Sequence, residues 1–120
     1  MDPILSTLSV RLHRFIEASL ANDHVSSDAE LRSHYLAQGL TEAQASQALR
    51  YRALYLQFIF FEGHTPILKG YEALTWVNGS LMAIRDYLRT LPESDQSVLR
   101  KDFAVLDDLH HNGTPARLPS

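Results

Sequence analysis

Apolar residues recur along this chain at steps of three and four, the spacing of an amphipathic helix. Leu5, Leu8, Leu12 and Phe15 form the first such stripe, widened by Ile16 and Leu20. Asp2 is placed to cap it, with Pro3 at the first helical position, where a missing N–H costs nothing. Asn22-Asp23-His24 ends it. Ser27 and Glu30 read as a capping box for a short second helix, with Leu31, Tyr35 and Leu36 inward and Gly39 as its left-handed stop. Thr41 and Gln44 make a second box, and the third helix is expected to run from there to Glu62, ahead of Gly63. Thr65-Pro66 opens a fourth, carrying Leu74, Val77, Leu81, Ile84 and Leu88 through Asn78-Gly79-Ser80 to Leu91-Pro92. That reading accepts roughly 1 kcal/mol for Gly79 in a helix interior. A fifth helix starts at Pro92 or Ser94, with Leu99, Phe103 and Leu106 as its stripe, Val98, Val105 and Leu109 beside it, and Gly113 as its stop. The expected fold class is all-α: a compact bundle of about five helices, one domain over residues 1–113, with a disordered tail over 114–120.

The third helix breaks the pattern. From Arg50 to Phe61 its second half is apolar on every face. A surface helix needs only one apolar stripe. An all-round apolar helix must be wrapped, by the other helices or by another chain. In the first case it is the central helix of a monomeric bundle. In the second, aromatic and arginine side chains interleaved as Arg50, Tyr51, Arg52 and Tyr55 have the composition of interface hot spots. Trp76 falls one step off the Leu74–Val77–Leu81 stripe and belongs at an edge. The candidate protein-binding residues are therefore Arg50, Tyr51, Arg52, Tyr55, Phe58 and Trp76. The same surplus of apolar surface leads us to expect a homodimer.

Composition narrows the alternatives. A net charge of −3 speaks against a general nucleic-acid binder. Cysteine is absent, which excludes disulfides and thiolate metal sites and fits a cytoplasmic chain. No basic region precedes the apolar residues Ile4 and Leu5, and no apolar run approaches the ~20 residues of a membrane span. Asp107 and His111 lie four apart beside Asp108 and His110, but a zinc site needs three or four ligands, and two would have to come from elsewhere. Histidine near a helix C-terminus has a simpler role against the dipole. No nucleophile elbow or phosphate loop is present, so neither enzymatic turnover nor a cofactor or metal is expected. Residues 30–45 have the outline of a helix-turn-helix, with Gln44, Gln47 and Arg50 as would-be base readers, although the helix they open becomes fully apolar.

In size, acidic lean, lack of cysteine, helical plan and aromatic third helix, the whole chain resembles the quorum-sensing antiactivators of the QslA type. That resemblance implies a small helical protein that binds a LuxR-type transcription factor and disables it. Gly70-Tyr71-Glu72-Ala73-Leu74, followed by Leu81, Ile84-Arg85 and Leu88, is loosely similar to helical immunity proteins that neutralise toxins. Both resemblances imply stoichiometric inhibition of a protein partner.

Overall fold

The structure is a computed structural model that describes residues 1–112, with side chains through Leu109. The expected Gly113 stop and the 114–120 tail lie outside the described residues, as do the imidazoles of His110 and His111. The described chain is mostly helical but carries a small sheet, so the all-α expectation is corrected.

The first helix, α1 (Val10–Asn22), starts later than the stripe suggests. Ser9 caps it by accepting from the Leu12 amide. Residues 3–8 form turns instead, because Asp2 is claimed by the core. Its carboxylate does take the Ile4 and Leu5 amides at 2.8 and 3.2 Å, as a cap would. It also receives the Tyr51 hydroxyl at 2.6 Å and Gln47 Nε2 at 2.7 Å, while its own amide donates to Ile67 O at 2.8 Å. α2 (Asp28–Ala37) and α3 (Glu42–Arg50) open on the two expected capping boxes, Ser27/Glu30 and Thr41/Gln44. Gly39 stops α2 with φ of 106°.

The long third helix is corrected. It pauses at Tyr51, resumes as α4 (Arg52–Gln57) and ends there. Phe58 turns extended, with φ −127° and ψ 148°. Residues 58–61 are a short apolar run of aromatic and β-branched type, and periodicity cannot tell such a run from a buried helix. As an extended segment it needs no all-round cover: Phe58 and Phe60 pack on the core while Ile59 and Phe61 point outward.

The fourth helix is corrected more fully. Thr65-Pro66 does begin a helix, α5, but it spans only Pro66–Lys69 and passes into a 3₁₀ turn at Gly70–Glu72. Then come β1 (Leu74–Val77) and β2 (Ser80–Ala83), paired antiparallel with Trp76 opposite Leu81 and Val77 opposite Ser80. Asn78 and Gly79, at φ 50° and 83°, form the connecting turn. Two central residues with positive φ define the type I′ hairpin, whose preferred sequence is Asn-Gly. The 58–61 segment joins β1 through one antiparallel bridge, Phe60 to Thr75.

α6 (Ile84–Arg89) follows the hairpin, and the fifth helix divides into α7 (Glu93–Leu99) and α8 (Ala104–Asn112). One core joins these parts, from Leu5 through Ile16, Leu31, Tyr51 and Ile67 to Leu106. No helix among the described residues is long and apolar enough to cross a membrane.

Candidate functional site

The six side chains singled out from sequence separate into inner and outer groups. Tyr51 is fully buried, and its phenol is pushed far above its ordinary pKa, by burial first and then by the Asp2 carboxylate it donates to. Tyr55 is buried as well and donates to Glu17 Oε2 at 2.6 Å; burial and that carboxylate raise its pKa. Phe58 is half-buried and meets the rings of Phe60, Tyr87 and Phe103, tying the extended segment to α6 and to the entry of α8. Arg50 is paired with Asp108. Arg52 reaches Asp28 at 2.7 Å and the carbonyls of Asp23 and Ser26, so it binds the α1–α2 loop. Only Trp76, 49% exposed, faces outward without cover. Tyr51 thus lies wholly in the chain's own core, and Tyr55, 5% exposed, shows little of its ring outside it.

Trp76 does not stand alone. In an antiparallel sheet, residues in register share a face. Trp76 lies opposite Leu81 on β2, and its amide donates to Ile59 O at 3.3 Å on the other side. The Phe61 amide donates to Leu74 O at 2.9 Å. Ile59, Phe61, Trp76 and Leu81 therefore form one outer apolar face, with Ile59 75% exposed. Behind them, Thr75 is fully buried, and its hydroxyl donates to Ile59 O at 2.9 Å. Sequence reasoning found Trp76 and missed the other three. The signal that reveals them is Asn78-Gly79 between two short apolar runs.

A groove borders this face. It lies between α1 and residues 55–65 and holds about 890 Å³. Glu17, Ala18 and Ala21 line it from α1, and Tyr55, Leu56, Phe60 and Thr65 from the later segment. Thr65 Oγ1 is buried beside the Tyr55 hydroxyl yet makes no hydrogen bond of good geometry.

The would-be base readers are occupied internally. Gln44 closes its capping box and donates to Thr7 Oγ1; Gln47 is buried on Asp2; Arg50 pairs with Asp108. In the first turn of α8, Asp107 accepts the Tyr71 hydroxyl. Among the described residues no group of three or more His, Asp or Glu side chains could hold a metal ion. Comparison with protein-family models, with curated proteins and with solved structures finds no match.

Proposed function

We propose that this chain is a protein-interaction regulator that binds and inhibits a protein partner, a transcription activator of the kind quorum-sensing antiactivators disable. The observation that carries the reading is the outer face of Ile59, Phe61, Trp76 and Leu81. Contiguous exposed apolar surface on a small domain marks an interaction site. Two of the four are aromatic, and large rigid rings bury much area at low entropic cost. The choice of a transcription activator rests on the resemblance in size, charge and helical content to such antiactivators. Self-association, first expected from an all-round apolar helix, would now use this same face, since a two-fold pair apposes identical patches.

The test separates folding from binding. Ile59→Ser is expected to leave the melting temperature unchanged, because that side chain is largely in solvent, and Trp76→Ala to lower it only modestly, because about half of the ring is exposed. Each is expected to weaken capture of a LuxR-type activator by about tenfold or more and to relieve repression of an activator-dependent reporter. Wild-type capture and repression by both variants would move the interface elsewhere.

A further inference from the structure

We infer that the groove between α1 and residues 55–65 receives an extended strand of a protein partner, hydrogen-bonded to the sheet edge at Phe60. This rests on the interaction reading above and specifies how the partner is held. The Ile59 C=O and the Phe61 N–H bond to β1, so the N–H and C=O of Phe60 between them are directed to the opposite edge. Neither of those groups makes a hydrogen bond among the described residues. An unpaired edge is a template for another strand, because an extended backbone offers a donor and an acceptor at matching spacing.

Two further features fit that occupant. The wall across from the edge presents Ala18 and Ala21, both small and exposed, so it leaves room instead of covering the edge. The space of about 890 Å³ is large enough to admit a short strand. Charge selects the sequence of the strand. Glu17 is held by Tyr55 and His13, whereas Arg14 and Glu62, which also line the groove, form no ion pair among the described residues. The complementary strand carries one acidic and one basic residue for them, with apolar side chains between.

A random heptapeptide library displayed on phage, panned against the full chain, supplies the probe. The selected peptides are resynthesised, and their affinities measured by calorimetry. Enriched peptides should carry an acid, a base and alternating apolar residues. Methylating the amide nitrogens of one alternate set should weaken binding by tenfold or more, and methylating the other set should change it little. Ala21→Glu, at an exposed helical position that tolerates the charge, should abolish binding. Trp76→Ala should leave it intact, and the Phe60 amide should shift in the nitrogen–proton spectrum. No enrichment would overturn the inference. So would binding that ignores both N-methylation and Ala21→Glu, as for an amphipathic compound filling the space, and so would loss with Trp76→Ala alone. That last result leaves the regulator reading standing. Groove-dependent peptide binding with no captured or inhibited protein sinks the regulator reading and leaves the groove.

Discussion

Asp2 is the residue on which the interior turns. A carboxylate is expensive to bury, and this one is tolerated because two side-chain donors and two backbone amides converge on it. Tyr51 is the strongest of the side-chain donors by geometry, at 2.6 Å. Tyr51→Phe keeps the ring's packing and removes only that donor. It is expected to destabilise the fold by about 1–3 kcal/mol, the cost of leaving a buried partner unmatched, which urea denaturation will measure. A loss near zero would mean that water or another donor replaces the phenol. The same residue shows why composition misled the choice of anchors. Tyrosine next to arginine is typical of hot spots, but Tyr51 uses its polar end on Asp2, forty-nine positions away in sequence. No local pattern announces that pairing.

At the level of elements, the hairpin turn is the sharpest prediction. Gly79 has φ of 83° with nothing within 4 Å of where a Cβ would stand. The cost of Gly79→Ala is therefore backbone strain alone, about 1–2 kcal/mol for a left-handed residue with a side chain. A melting point below wild type, with wild-type packing elsewhere by near-ultraviolet circular dichroism, is the expected result; an unchanged melt would show that the turn contributes nothing. Those elements fixed by chemistry within three or four residues were readable from sequence: both capping boxes, the Gly39 stop and the Thr65-Pro66 start. Those that depend on a choice between two periods were not. Leu74, Val77 and Leu81 fit a helix stripe by their spacing, yet Val77 and Leu81 belong to two strands joined at Asn78-Gly79, whose turn chemistry outweighs the stripe. Residues 58–61 failed for the same reason, since four consecutive apolar residues carry no period. The outer face and the groove inherit both misreadings: neither exists until the extended segment leaves α4.

For the whole molecule, the acid and alkaline limits of stability have assignable causes. The Asp23 carboxylate accepts the Ser26 and Val25 amides and is lowered from 3.8 to about 2; Glu30, accepting at Ser27, is lowered too. A carboxylate lowered in the fold stabilises it at pH above its unfolded value and loses that contribution as pH falls toward the folded one. Melting temperature should therefore decline from about pH 4 downward, and Asp23→Asn should flatten the decline. Tyr35, Tyr51, Tyr55 and Tyr71 are all raised, chiefly by burial. Their contribution is complete below the ordinary phenol value near 10 and fades above it. Phenolate absorbance should accordingly appear together with unfolding, not before it. The clamp of the Asp2 amide on Ile67 carries a consequence for time. Bonds between distant positions close slowly, because loop entropy is lost before the contact rewards it. A chain emerging at ~5–20 residues per second carries its first helices for seconds before Ile67 exists to receive them. Until Gln47, Tyr51 and α4 emerge Asp2 has no interior to enter, and α1 waits as an amphipathic segment without its packing partner, open to chaperones and to other nascent chains.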